Sequence, residues 1–235
     1  MLDRWTDRVP PLRGDLTTLR EVAATDVPTL FTLFSDPAVT RHMAPPPPTL
    51  ATFAGFVEWS QRERAQGRGV CFGIVPEGMA AAVGVLQIRG LDSTSSAAEW
   101  GFVLSAHFWS TGVFLDAATA LVEFVFTTMR VQRLDARIAL RNRRAQAAMQ
   151  KLGARFQSML EDSSPKGVRR DPESVWTLWE REWRSRAPDA RVVATDARER
   201  IRKAVEAAES ELRRSEAPEA VEPYPLFLFD RRRRP

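Results

Sequence analysis

The sequence predicts an α/β fold, a mixed sheet with helices on both faces, followed by a helical extension at the C-terminal side. Three observations carry this expectation. At 235 residues, 44% hydrophobic and 27% charged, the chain is long enough for one α/β domain plus an appendage. Short apolar-alternating runs and longer runs with helical spacing follow one another in the order β-αα-β-β-β-α-β-α-β-β, without an internal repeat. Finally, Ala98 to Ala117 reads as strand, loop and helix, with Gly112 opening the helix. A loop that leads into a helix N-terminus presents unpartnered N–H groups and a positive dipole end, so it is an anion site in waiting.

In chain order, residues 1–14 are mixed and contain proline, an irregular arm. Leu16 to Arg20 reads as a strand, and Thr25 caps a short helix marked by Leu30, Phe31 and Phe34 that stops before Asp36-Pro37. Pro45 to Pro48 force an extended linker. Phe53, Phe56 and Val57 mark a helix from Leu50 to Gln66, ended by Gly67 and Gly69. Val70 to Val75 and Ala80 to Arg89 are strands, joined as a hairpin by Pro76-Glu77-Gly78, and Asp92 to Ser96 is a polar loop. The helix from Gly112 to Thr128 buries Ala117, Leu121, Phe124 and Val125. Leu134 to Ala139 is a strand, and Asn142 to Leu152 a helix stopped by Gly153. Phe156 to Leu160 and Val175 to Trp179 complete the strands, separated by a loop at Ser163 to Gly167. The organisation expected is an arm at 1–14, a domain at 15–186 and an extension at 187–235.

Composition narrows the function classes. Cys71 is the sole cysteine, which excludes an intrachain disulfide and a multi-thiolate zinc site, and with His42 and His107 as the only histidines no metal centre is expected. Cys71 lies among apolar neighbours and reads as core, not nucleophile. The start lacks a signal pattern and charges interrupt every long apolar run, so a soluble cytoplasmic protein is expected, with no membrane partner. The formal charge of +4 comes mostly from arginine, and without interleaved aromatics it does not point to nucleic acid.

Several local runs, taken together and in this order, resemble the GNAT superfamily of acyl-CoA-dependent N-acyltransferases, and within it the RimJ/RimL-type branch of ribosomal-protein N-terminal acetyltransferases. They are Leu19-Arg20, Asp36-Pro37 with Thr40-Arg41, Phe72 to Val75, Gly84, Glu99 to Leu104, Phe108-Trp109, Arg133 to Arg137, Asn142, and Lys151-Leu152-Gly153. The resemblance covers about the first three-quarters of the chain and implies the GNAT fold, with a mostly antiparallel sheet. It also implies acetyl-CoA as donor. The pantetheine arm would lie on strand backbone at Phe102, Val103 and Leu104, the pyrophosphate on the loop Trp109-Ser110-Thr111-Gly112-Val113-Phe114, and Asn142 would hydrogen-bond the arm. The loop departs from the family pattern. Trp109 stands where the pattern has Arg or Gln, Thr111 where the branch carries Lys or Arg, and Phe114 where Gly or Ala is usual.

For chemistry, the resemblance places Glu99 near the acceptor amine as general base, against the plainer reading of an ion-paired strand residue. It supplies no general acid. Ala145 and Met149 stand at the family's serine and tyrosine positions, which leaves water or Ser110, and the sole tyrosine, Tyr224, lies in the tail. The oxyanion would sit on the N–H of Phe102 or Val103. Asp116 and Glu123 read as ordinary helix residues. The implied acceptor is a protein N-terminal amine or a small-molecule amine. A catalytically weak or inactive acyl-CoA-binding regulator is the alternative that Thr111, Phe114, Ala145 and Met149 keep open.

Past Trp183, Ala190 to Arg214 is rich in Ala, Arg and Glu, and its stripe of Ile201, Val205, Ala208 and Leu212 predicts a helix that packs on the domain or on a second copy as a homodimer. Pro225 to Phe229 and Arg231 to Arg234 close the chain, either as an added strand or groove plug or as an unstructured tail.

Overall fold

In the computed structural model, residues 5–42, 49–91, 96–160, 172–185 and 195–215 are described. The strands are β1 (Leu12–Arg13), β2 (Thr17–Glu21), β3 (Gly69–Pro76), β4 (Gly84–Arg89), β5 (Ala97–Leu104), β6 (Arg133–Ala139), β7 (Arg155–Leu160) and β8 (Glu173–Trp179). The helices are α1 (Val27–Phe34), α2 (Pro37–Thr40), α3 (Leu50–Ala65), α4 (Val113–Thr127), α5 (Arg143–Leu152), α6 (Glu180–Ser185) and α7 (Thr195–Arg214). The strands form one sheet in the order β1-β2-β3-β4-β5-β6-β8-β7. Neighbours run antiparallel except β5 and β6, which are parallel and joined through α4.

Side-chain alternation assigns the helices to the two faces. Phe72, Leu86 and Phe102 lie opposite one another across three strands. Phe72 meets Phe124 of α4 with ring centroids 5.8 Å apart, so this is the α4 face. Gly73 points the other way, where an added Cβ would lie 2.8 Å from Ala82 and 3.8 Å from the Asp26 carboxylate at the start of α1. Helices therefore cover both faces, as the sequence predicts.

Element bounds differ from the sequence reading in physically instructive places. The arm contributes a short strand, because Leu12 and Arg13 pair with Leu19 and Thr18. Thr25 is not the cap of α1. It lies in a 3-10 turn over Ala24–Asp26, and Asp26 orders the region instead. The strand expected from Ala80 starts at Gly84, since the Ala82 N–H is taken by Asp26 and the β3–β4 connection is longer than a tight hairpin. Gly112 and Asn142 are N-caps, one residue outside their helices. The stretches Pro45 to Pro48, Ser163 to Gly167 and everything past Ser215, with Tyr224, Pro225 to Phe229 and Arg231 to Arg234, lie outside the described residues.

Two contacts fix the outer elements. Asp26 is buried and receives a bidentate pair from Arg20, at 2.7 Å to each oxygen, plus the N–H groups of Ala23 and Ala82 at 2.9 Å. One carboxylate thus ties β2, α1 and the β3–β4 connection together. The extension helix α7 packs on the domain through buried Ala197, Ile201, Ala204 and Ala208, with Val205 over Gly78. Its far end is held by Glu211, which shares a 2.5 Å hydrogen bond with His107, and by a 3.3 Å contact between Ser215 and Thr32.

Burial alone would push the Asp26 carboxyl up, but the Arg20 guanidinium and two backbone N–H groups hold it below its ordinary value. A depressed carboxylate stabilises the fold above the unfolded value of about 3.9, and that contribution is lost as pH falls through the folded value. Asp26→Asn is expected to lower unfolding free energy at pH 7 by about 3 kcal/mol in urea titrations, and to flatten the loss of stability that the wild type shows below about pH 4.

Candidate functional site

The site grows out of a mismatch in hydrogen bonding along β5. Its ladder to β6 ends at the pair Trp100 and Ala136, while its ladder to β4 continues to the pair Leu104 and Gly84. Meanwhile β6 runs on against β8 as far as Ala139. The two parallel strands therefore part after Trp100. Ser105 donates its N–H to the Val83 carbonyl at 3.0 Å, so antiparallel alternation turns Val103 toward β4 and turns the backbone groups of Phe102 and Leu104 toward the opening. The N-termini of α4 and α5 both follow the C-terminal ends of these strands, which is where open α/β sheets hold their ligands.

On the α4 face an aromatic row borders the opening. Trp100 and Phe102 have centroids 5.7 Å apart, and Phe102 and Phe114 4.5 Å. Phe114 thus rests half-buried on the very strand that lines the gap, packed against the edge of the core. The Trp100 indole N–H is buried and has no partner among the described residues.

The loop into α4 is backbone-driven. Ser110 and Gly112 hold positive φ angles of 61° and 99°, a pairing that bends the chain sharply before the helix. The first intrahelical bond runs from the Asp116 N–H to the Gly112 carbonyl at 3.1 Å, so the N–H groups of Val113, Phe114 and Leu115 precede it. Thr111 is buried. Its hydroxyl donates to the Phe108 carbonyl at 2.7 Å and accepts from the Val113 N–H at 3.4 Å. Trp109 donates its indole N–H to the Leu104 carbonyl at 3.0 Å, across the end of β5. Asn142 accepts from the Ala145 N–H at 3.1 Å, which caps α5 and leaves its amide NH2 for other acceptors.

Glu99 stands on the opposite face, one residue before the last rung between the two strands. Arg89 approaches its Oε1 at 2.7 Å and Arg137 the same oxygen at 3.6 Å. The plainer sequence reading, an ion-paired strand residue, is thus realised. Ala145 and Met149 are buried and carry no proton to give. Cys71 is buried, and burial pushes its thiol well above the usual range, as expected of core.

Two features escaped the sequence reading. Asp116, taken as an ordinary helix residue, accepts from the N–H of Asp15 at 2.8 Å, the N–H of Leu16 at 3.1 Å and the Thr17 hydroxyl at 2.7 Å, and so moors α4 to the β1–β2 turn. Arg144, in the first turn of α5, places its guanidinium carbon 3.4 Å from the centroid of the Trp109 ring. The run Arg141-Asn142-Arg143-Arg144 after a strand was the available signal.

Comparison with known proteins places the chain in a family. Residues 17–155 match the family model described as Acetyltransferase (GNAT) domain. A curated relative, the uncharacterized N-acetyltransferase p20 of Bacillus licheniformis, is 23% identical over 167 residues, covering 71% of this chain and 94% of the relative. Among solved structures, the ribosomal-protein-S5-alanine acetyltransferase of Vibrio fischeri superposes with a TM-score of 0.63 at 12% identity, covering 74% of this chain and 98% of that one. The microcin C7 self-immunity acetyltransferase MccE, in complex with acetyl-CoA and AMP, gives 0.62 at 16% identity, covering 71% and 93%.

Gly112 allows a direct check of the loop geometry. Gly112→Ala forces a side chain into a left-handed conformation with its Cβ 3.4 Å from Leu16, and is expected to lower stability by about 1 to 2 kcal/mol in thermal unfolding.

Proposed function

The chain belongs to the GNAT acetyltransferases, an acyltransferase family, and from that premise we propose that it moves acetyl from acetyl-CoA to a protein N-terminal amine. The parting of β5 and β6 beside two helix N-termini is the observation that carries the donor half of this reading. The available groups suit an elongated ligand with amides at one end and phosphates at the other. Gap-facing backbone at Phe102 would pair with the pantetheine, together with the N–H of Leu104, whose carbonyl already serves Trp109. Val103, turned toward β4, contributes by shaping the strand. The turn Trp109-Ser110-Thr111-Gly112 and the first N–H groups of α4, Val113 and Phe114 among them, would receive the diphosphate, and the Asn142 amide would reach the arm from α5. Resemblance to the ribosomal-protein acetyltransferase fold supports a protein terminus as acceptor. A groove between α1, α2 and α7 is lined by Phe31, Asp36, Glu211 and Arg214, and Glu211 also meets His107.

Acetyl-CoA, when bound, supplies a thioester carbon for attack by the amine, with CoA thiolate as the leaving group. The chain's part is to orient, to stabilise charge and to take a proton. The Phe102 N–H is the strand donor that can meet an oxyanion, since that of Val103 belongs to the β4 ladder. Glu99, whose Oε1 is approached by Arg89 and Arg137, is the proposed proton acceptor, directly or by way of water. Thiols ionise near pH 8.5, so the thiolate departs without a donor at Ala145 or Met149 and is protonated by water.

Acetyl-CoA at a hundredfold excess over its Kd is expected to stabilise the protein by about 2.7 kcal/mol, seen as a rise of several degrees in Tm. Glu99→Gln is expected to reduce kcat about a hundredfold with little change in KM for acetyl-CoA. An unaltered kcat would return Glu99 to a purely ion-pairing role. Mass spectrometry of protein N-termini in cells with and without the chain should reveal newly acetylated termini, whereas acetylation confined to small amines would overturn the acceptor assignment.

A further inference from the structure

Between Leu104 and Thr127 the chain has no lysine or arginine, and its one histidine there, His107, is engaged by Glu211. A diphosphate held at this loop would meet backbone N–H groups but no cation from the loop itself. The fold supplies one from elsewhere. Arg144 comes from α5, across the gap in the sheet, and lies over the Trp109 ring at 3.4 Å. A guanidinium held over a ring spends no N–H group on a carboxylate, and its N–H fork is what recognises phosphate oxygens. Among the described residues the partner of Arg144 is that ring and not a carboxylate.

A second, independent observation points to an anion. Arg143 and Arg144 stand in the first turn of α5, and no acidic residue does. Cations at the positive end of a helix repel the dipole, so this choice weakens α5 on its own. A bound anion reverses the sign. A local rule broken at the mouth of a ligand gap is what a binding residue leaves in a sequence.

We propose that Arg144, held over the Trp109 ring, is the cationic contact to the diphosphate of the CoA donor, standing in for the charge that Thr111 does not provide. This rests on the acetyl-CoA reading given above. Trp109 has two tasks in it, positioning the guanidinium through its ring and fastening the loop to β5 through its indole N–H.

Calorimetric titration with three donors separates the possibilities. Wild-type protein, Arg144→Ala, Trp109→Leu and the double variant are titrated with acetyl-CoA, acetyl-dephospho-CoA, which lacks only the 3′-phosphate, and acetyl-pantetheine, which lacks the diphosphate. Loss of a charge-assisted fork is expected to weaken acetyl-CoA binding by Arg144→Ala about ten- to a hundredfold. The same loss is expected with the dephospho donor and none with acetyl-pantetheine, and the double variant should lose less than the product of the single effects. Arg144 is exposed and stands at the positive end of α5, so ligand-free Tm of Arg144→Ala should be equal to or slightly above that of the wild type. Equal affinities of wild type and Arg144→Ala for acetyl-CoA would overturn the assignment while leaving the donor reading intact, as would a loss that persists with acetyl-pantetheine or vanishes with the dephospho donor. Absence of acetyl-CoA binding by the wild type would overturn the donor reading itself and this inference with it.

Discussion

Everything about the site depends on one interruption in backbone pairing. β5 is bonded on both sides as far as Trp100 and on one side beyond it. In a closed sheet, the outward N–H and C=O groups of Phe102 would be used up by β6. Here they are turned toward an opening, and buried backbone groups demand a partner. The parallel crossover through α4 has a second consequence. Because β5 and β6 run the same way, the helices that follow them both begin at this edge, and their positive ends converge on the gap.

Positioning α4 requires its own support. Asp116 sits in the first turn, where a carboxylate would compete with any incoming anion. Its two oxygens instead receive three donors from the β1–β2 turn, so the charge is satisfied locally while the helix is moored to the sheet edge. The loop before it achieves its shape with Ser110 and Gly112 at positive φ and with the Thr111 hydroxyl turned inward. Thr111 therefore acts as a local brace. Cationic character at this edge belongs to α5, where Arg144 faces Trp109.

Much of the fold was legible because periodicity reports burial directly. The helices over Leu50–Ala65, Val113–Thr127 and Arg143–Leu152 and most strands fall where apolar spacing puts them, since those residues face one core. What periodicity cannot report is who sits across a strand. Glu99 opposite Arg89 and Asp135, with Arg137 near its carboxylate, is a consequence of register, so the identity of its partners was visible only in three dimensions. The same holds for Asp26, whose four donors come from three separate segments and displace Thr25 from the capping role. Arg144 meets Trp109 from a different helix, thirty-five positions along the chain, and looked in the sequence like one more surface arginine. The extension helix was legible as amphipathic, and in the structure it buries Ile201 and Ala208 while Glu211 meets His107 of the domain.

The central claim is that the donor lies in the gap between β5 and β6 with its phosphates on the loop into α4. Amide hydrogen exchange with and without acetyl-CoA tests this most directly, because it reads the backbone groups named above one by one. Saturating acetyl-CoA should slow exchange at Phe102 and at Thr111 through Phe114, with β2 and β3 unaffected. Binding that protects amides elsewhere, with Phe102 and the loop exchanging as in the free protein, would contradict it.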